Sequence, residues 1–420
     1  MTEHADALWL TVAAVFVLFV NVGVFVVSQG FTRRRTVSTL VAHHVVHAGT
    51  ALIGVAALGY GVAFGEGNSW FGSEWFGLGD LDLSARVGPG DDGPTHGARV
   101  LWHMAAAVTL STATLTAIAE RARLLTHAAA GFAIGAVVMP MAVRAARPEG
   151  LLADIGIGDT VFVDAGGSAV LYSVTGWMAV VGAMLIGPRL GRFGATGQPR
   201  VIPGRSMPGA VAGGLLVLAG WIGLAGGYLG EWSDDVPSAG VRLLLAGAGG
   251  GLGSAYASWV RTGQAGAAGA VRGLLAGLVA ASAGMLVLSP TWAAVVGFFG
   301  GALVPLGTAA IERAKLDDPF GSVIVFAGGG VWGTLAVGLF ATDTGLLDSA
   351  NPDQLVAQLT GVLILASWAI VAGAGVFGLL KAVGRFRLDD DEELVGLEIV
   401  EQRASGAEDR AGLTEDDADT

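Results

Sequence analysis

Seven histidines and no cysteine set the chemical repertoire of this chain. Without thiols there is no disulfide, no thiolate metal site and no thiol nucleophile. His43 and His47 stand four residues apart, on one face of a helix, with His44 beside them, while His103 lies in a separate apolar stretch. An ionisable side chain inside an apolar span marks a functional site by default. For the span holding His43 and His47 three readings stay open: part of a metal site, a site for a proton or polar solute, or a hydrogen-bonded pair near a cytoplasmic entrance. The carboxylate or thiolate that usually completes a zinc set is absent from that stretch. Asp164 is the most pointed carboxylate, because it directly precedes the run Ala165-Gly-Gly-Ser and the apolar residues that follow. There it would cap free helix N–H groups and complement the helix dipole, and the same charge would attract a cation. Glu120-Arg121 closes another apolar stretch as an anchor or interhelical salt bridge. Gly249-Gly-Gly-Leu-Gly-Ser and Ala327-Gly-Gly-Gly invite comparison with phosphate cradles. Both sit inside apolar runs without a preceding strand, so close helix packing explains them better. No nucleophile–base pair, metal set or cofactor loop stands out, and the chain reads as a non-enzyme that needs no cofactor.

These residues must be positioned by a membrane-embedded scaffold. Of the 420 residues 53% are hydrophobic and only 14% charged, with a mean hydropathy of +0.64, against about 25% charged in soluble domains. The 68 glycines lack a collagen period and suit helices whose backbones approach closely. A spanning helix needs about 20 mostly apolar residues. Eleven stretches qualify, at 8–28, 38–64, 97–118, 124–143, 165–187, 208–229, 239–260, 269–288, 291–311, 322–341 and 354–382. Met1–Ala7 carries acids rather than a basic leader, so the first stretch reads as a helix and not a secretory signal. Under this count Arg86, Arg99, Arg144, Arg147 and Arg242 fall on one side, and the other basic residues from Arg33 to Lys381 and Arg387 on the opposite side. The basic side is cytoplasmic, which puts the amino terminus outside the cell membrane and the carboxyl terminus inside. Residues 1–383 form the transmembrane domain and 384–420 a cytoplasmic acidic tail. Leu394–Val400 is a candidate ordered piece of that tail, and the polar run from Ala404 onward has the composition of disorder. The formal net charge of −12 argues against nucleic acid as a partner. Asp164-Ala-Gly-Gly-Ser near the start of the fifth stretch and Ala327-Gly-Gly-Gly in the tenth hint at an inverted repeat, a plan that places a site at the repeat interface.

In order and spacing the chain resembles the ammonium transporter/Rhesus channels over nearly its whole length. The resemblance rests on Ala117-Ile-Ala-Glu-Arg121, Asp164-Ala-Gly-Gly with Gly182-Ala-Met-Leu-Ile-Gly187, and Gly220-Trp-Ile-Gly. It rests also on Asp317-Asp-Pro, Gly330-Val-Trp-Gly-Thr-Leu-Ala-Val-Gly-Leu-Phe-Ala341 and Glu392-Glu-Leu-Val-Gly-Leu-Glu. It implies an all-α membrane protein of eleven transmembrane helices, an inverted five-plus-five repeat with an extra peripheral helix. It also implies a homotrimer with one narrow pore per protomer. Ammonium would enter an outer vestibule, pass two stacked phenylalanines and lose its proton, and the nitrogen would cross a dry pore bridged by two histidines. A PII-type signalling protein is the implied cytoplasmic regulator at the tail. An ion in a low-dielectric channel costs far more than neutral ammonia, and histidine suits the separated proton.

The matched positions depart from that pattern. Tyr172, or Leu171 by the alternative count, stands at the first pore-histidine position and Phe326 at the second. Ala106 and Leu224 take the two gate positions. Trp102 matches a vestibule aromatic, Tyr228 takes the place of the vestibule hydroxyl, and the vestibule tryptophan falls near Ala146–Arg147, while Asp164 is retained. Three readings follow: an ammonium/ammonia channel in which Tyr172 or His103 supplies polar contacts, a channel for another small neutral or amine solute, or a non-conducting sensor whose tail reports to a cytoplasmic partner.

Overall fold

The computed structural model describes residues 5–87, 93–153, 155–157 and 160–395. The apolar stretches fold as helices α1 (Ala5–Phe31), α2 (Val37–Phe64), α3 (His96–Leu115), α4 (Leu124–Ala146), α5 (Ser168–Ile186) and α6 (Met207–Tyr228). They continue as α7 (Asp235–Thr262), α8 (Ala267–Ser282), α9 (Pro290–Arg313), α10 (Val323–Phe340) and α11 (Asp353–Ala382). Among the described residues eight of these are long and apolar enough to cross a membrane: α1, α2, α4, α5, α6, α9, α10 and α11. The exceptions have visible causes. α8 is only 16 residues long, α3 carries His96, Arg99 and His103, and α7 is diluted by Gly, Ser and Arg residues.

Small residues set how near the helices come. A methyl on Gly23 of α1 would lie 2.7 Å from the carbonyl oxygen of Gly213 of α6, so these two helices touch backbone to backbone. The Gly249-Gly-Gly string works the same way inside α7. Gly250 faces Gly273 and Gly277 of α8, and Gly301 of α9 packs on Gly250 itself. The string is a helix-packing surface, and the phosphate comparison finds no support there. Within the helices polar side chains such as Asn21, Thr112 and Gln358 are buried, while α1 turns Leu8, Val15 and Phe19 outward and α11 turns out Leu363 and Val371.

Among the described residues four helices contain a π-helical segment: Val55–Gly59 in α2, Ile134–Val138 in α4, and the opening turns Ser168–Ser173 of α5 and Val323–Gly328 of α10. Such widened turns recur at functional sites. Beyond α11 the chain runs back along the helix ends. Arg123 N–H bonds Phe386 O at 3.1 Å and Leu388 N–H bonds Arg121 O at 2.9 Å. A last short helix, α12 (Asp390–Val395), follows. Of the expected ordered piece Leu394–Val400, residues 396–400 lie outside the described residues, as does the run from Ala404.

Candidate functional site

The site is organised by a motif used twice. Asp164, Gly167, Ser168, Tyr172 and Gly176 recur, in the same spacing, as Asp318, Gly321, Ser322, Phe326 and Gly330. Each copy turns a loop into a widened helix. Gly167 has φ +84° and Gly321 φ +97°, a conformation that favours glycine, and each is followed by the serine that opens its helix. The aspartate answers the free N–H groups of the first turn. Asp164 Oδ2 accepts from Ala169 N at 2.9 Å and Val170 N at 2.8 Å, and Asp318 accepts from Gly321 N at 2.9 Å and Val323 N at 2.7 Å.

The serines tie their helices to partners that are themselves ending. Ser168 Oγ donates to Val279 O at 2.7 Å and accepts from Ala283 N at 2.6 Å, where α8 ends. Ser322 Oγ reaches Ala113 O at 2.8 Å and Thr116 Oγ1 at 2.7 Å, where α3 ends. The internal symmetry expected from sequence therefore exists in a corrected register. The counterpart of Asp164-Ala-Gly-Gly-Ser is Asp318-Pro-Phe-Gly-Ser, and Ala327-Gly-Gly-Gly lies one turn further on. There α5 and α10 cross: a methyl on Gly330 would strike Ser168 O and Ser173 N, and one on Gly176 would strike the backbone of Ala327. The shared D-x-x-G-S string was readable in the sequence, but the glycine-rich tract beside it drew the alignment off.

On one side Asp164 lines a cavity of about 310 Å³ together with Trp102, His103, Tyr228, Arg99 and Arg147. Trp102 is fully buried and donates from Nε1 to Gly223 O at 2.9 Å. His103 bonds Arg99 O through Nδ1 at 2.8 Å, while its Nε2 and Asp164 Oδ1 are buried without a partner. Ala146 and Arg147, where the vestibule tryptophan was expected, both line this cavity. Sequence reasoning missed its cationic character. The guanidinium groups of Arg99 and Arg147 lie over the Phe64 ring, 5.1 and 4.7 Å from its centroid, and Arg147 also pairs with Glu149 at 2.6 Å.

Inward of this cavity the chain is tightly packed. Ala106, Leu224, Tyr172 and Phe326 are all buried. Tyr172 leans on Trp221 with ring centroids 4.9 Å apart, and Trp221 Nε1 bonds Ser282 Oγ at 3.1 Å. Leu171, the alternative to Tyr172, lies with Leu110 of α3 and Ile134 and Met139 of α4. The repeat register also pairs Phe326 with Tyr172. Phe326 stacks parallel to Phe320 at 6.2 Å, and Phe31 meets Phe320 edge-on at 6.4 Å.

Beyond these rings a second cavity of about 290 Å³ is lined by Phe31, Asp318, Asp317, Arg189, Arg192 and Arg272. Asp164 and Asp318 thus occupy equivalent places, one at each end. Around the second cavity runs a buried ion network. Asp317 accepts from Arg189 N, Nε and Nη2 at 3.0, 2.7 and 3.0 Å, and Arg189 also pairs with Glu120. Burial alone would raise the Asp317 carboxyl, but the Arg189 hydrogen bonds and the Arg121 and Arg189 charges hold it well below the usual carboxylate range. Burial also lowers Arg121 to about 10, against the pull of Asp317. Glu120-Arg121 is thus an interhelical salt-bridge centre, one of the two roles expected for it. The tail joins through Glu393, which accepts from Leu190 N at 2.7 Å and Arg387 Nη2 at 2.8 Å.

The remaining histidines form a separate group. His43 and His47 do share one helical face, but they face His127 of α4, with ring centroids at 4.6 and 5.8 Å, and His44 stands 4.9 Å from His47. Nothing in the spacing of His127 announced this meeting. Among the described residues no group of three or more His, Cys, Asp or Glu side chains is placed to hold a metal ion.

The model of the Ammonium Transporter Family matches residues 8–406. Ammonium transporter Amt2 of Archaeoglobus fulgidus is 27% identical over 95% of this chain and 87% of its own length. Ammonium transporter Amt1 of Haloferax mediterranei is 30% identical over 96% of this chain and 80% of its own. Among solved structures, a protein described as a sensor Amt protein superposes with a TM-score of 0.87 at 27% identity, covering 95% of this chain and 98% of that one. Mep2 of Candida albicans, at 23% identity and a TM-score of 0.83, shares the fold.

Proposed function

The chain belongs to the Ammonium Transporter Family, and on that premise we propose that it carries ammonium or ammonia across the cell membrane by a passage with Tyr172 and Phe326 in place of a histidine pair. The observation that carries this reading is the repeated D-x-x-G-S turn, which sets one aspartate at each of two cavities and crosses two glycine-notched helices between them. Trp102, His103 and Tyr228 form the receiving surface beside Asp164. Ala106 and Leu224 replace the gating rings, and the Tyr172–Trp221 and Phe320–Phe326 pairs form the dry constriction. Neutral ammonia crosses such a segment at far lower cost than the ion. A charge released there meets no imidazole at Tyr172 or Phe326, so proton handling differs from that of relatives with a histidine pair.

All eleven helices span the membrane in this proposal, with the amino terminus outside and the arginine-rich end of the bundle cytoplasmic. The protein works as a homotrimer whose outward apolar faces meet lipid or a neighbouring copy. The test is reconstitution in liposomes, with current and internal pH followed on addition of ammonium, methylammonium or a neutral solute. Saturable ammonium flux is expected. Flux of other solutes alone, or none, would refute the reading.

A second reading is favoured by the tight burial of Trp102, Leu224, Tyr172 and Phe326, and by likeness to a protein described as a sensor. In that reading the chain binds ammonium without conducting it, and the Glu393-anchored tail reports occupancy to a cytoplasmic partner such as a PII-type protein. Ligand-dependent tail binding with ion-tight liposomes would select it.

A further inference from the structure

The four imidazoles of α2 and α4 have no part in the passage described above, yet they are not inert packing. His43, His47 and His127 are 2 to 3% exposed. Five of the cluster's ring nitrogens, both of His127 and the Nδ1 atoms of His43, His44 and His47, are buried without a hydrogen-bond partner. Buried polar atoms are seldom left so, and orphaned ones point to an unseen occupant. Space for one exists. His44, His47 and His127 line a cavity of about 20 Å³, and about 10–15 Å³ is enough for one water-sized molecule.

The chemistry of the wall selects the occupant. A neutral imidazole with both nitrogens free presents one N–H and one lone pair, whichever tautomer it takes, and His127 is in that state. The two nitrogens point apart, so a molecule of this size meets one of them, and only one that can both donate and accept suits either tautomer. Apart from its imidazoles the wall is uncharged, with Thr112, Thr116, Ser28 and Gln29 as the other polar side chains. Along the chain, charged residues flank the packed elements: Arg33 after α1, Arg34 before α2, Glu120 after α3 and Arg123 before α4. An ammonium ion has no lone pair and would sit without a counter-charge, at high cost in this interior. A neutral hydride of nitrogen or oxygen fits.

The far side of the cluster is already tied down. His47 Nε2 lies 2.9 Å from Thr112 Oγ1, which donates to Asn21 Oδ1 at 2.8 Å, and Asn21 Nδ2 lies 3.4 Å from His44 Nε2. Thr116, in the cavity wall, also bonds Ser322 of the repeated motif at 2.7 Å. We propose that this pocket, lined by His44, His47 and His127, is a second site, off the central passage, that binds a single molecule of neutral ammonia. The choice of ammonia over water rests on the proposed ammonium function, and the site itself rests on the imidazoles.

The experiment uses the full-length protein carrying ¹⁵N-labelled histidine, titrated with ammonium chloride at pH 7 and pH 8 while the imidazole ¹⁵N signals are followed. A pocket that takes ammonia shifts the His127 and His47 signals, with the half-saturating total ammonium about tenfold lower at pH 8, because the free base is about tenfold more abundant. His127→Phe removes the response. If that variant does not fold, His47→Gln, which disturbs the Thr112 bond, weakens it by at least about tenfold. Imidazole signals indifferent to ammonium mean that water alone fills the pocket and overturn the proposal. A midpoint that ignores pH means that a cation binds, and overturns it too. Flux measured on the same preparation separates the two readings. Imidazole shifts in a protein that carries no flux refute transport and keep the site, whereas flux with silent imidazoles refutes the site alone.

Discussion

Asp164 carries two jobs that a pair of substitutions pulls apart. Its Oδ2 holds the N–H groups of Ala169 and Val170, while Oδ1 lies buried and unpartnered beside the 310 Å³ cavity. Asp164→Asn keeps an acceptor for both N–H groups and puts an amide where the idle oxygen was, so the turn survives. A bond to a neutral acceptor is roughly half as strong as one to a carboxylate, which makes the capping loss about 1–2 kcal/mol. Asp164→Ala leaves two buried donors unanswered, at about 1–3 kcal/mol each, or about 2–6 kcal/mol in all. The functional loss follows a different scale. A unit charge about 5 Å from a cation, at an effective dielectric of about 20, is worth roughly 3 kcal/mol, so removing it weakens ammonium occupancy by at least about tenfold even after desolvation takes its share. Thermal unfolding in detergent and the half-saturating ammonium concentration of the current are the two assays. The expected pattern is poor ammonium affinity in both variants, with a small loss of stability for Asp164→Asn and a clearly larger one for Asp164→Ala. Wild-type affinity in Asp164→Asn would refute the charge argument, and wild-type stability in Asp164→Ala would refute the capping one.

Other perturbations have equally definite outcomes. Gly176→Ala forces a methyl into the Ala327 backbone where α5 and α10 cross; overpacking of this kind costs about 1–3 kcal/mol, and a lower melting temperature with reduced flux is expected, whereas Gly375→Ala, which meets nothing within 4 Å, leaves both unchanged. Asp317→Asn strips the carboxylate from Arg189 and Arg121, both nearly inaccessible, and breaking a buried pair this way costs about 3–5 kcal/mol, read as loss of thermal stability. Because the folded Asp317 carboxyl is held below its unfolded value of about 3.9, its contribution is complete above about pH 4 and vanishes only as the pH falls through the lower folded value. A pH–stability curve should therefore show this acid limb in the wild type and lack it in Asp317→Asn. Arg99→Gln removes one of the two guanidinium groups at the Asp164 cavity. The half-saturating ammonium concentration should fall several-fold at low salt and converge with the wild type at high salt, where charges are screened.

The apolar runs set the helices before any packing was known, because a continuous apolar run of about 20 residues satisfies its own backbone polar groups in lipid only as a helix. Sequence spacing also singled out Tyr172, Phe326, Ala106 and Leu224, and each of these residues is buried on the proposed route. It set Glu120 and Arg121 at a helix end, where they proved to anchor an ion network. The repeat was legible as a hint but in the wrong register, since glycine-rich strings align with one another anywhere in a chain this rich in glycine. Only the paired turns at Gly167 and Gly321, with their aspartates and serines, decide it.

What the one-dimensional pattern determined, then, was membrane residence and helix positions, both properties of neighbours along the chain. Which side chains meet was decided by tertiary structure. His127 lies 80 residues past His47, and Arg99, Arg147 and Phe64 belong to three separate helix ends. Contacts between such distant positions depend on how rigid helices cross, and that depends on backbone approach at glycines rather than on any local periodicity.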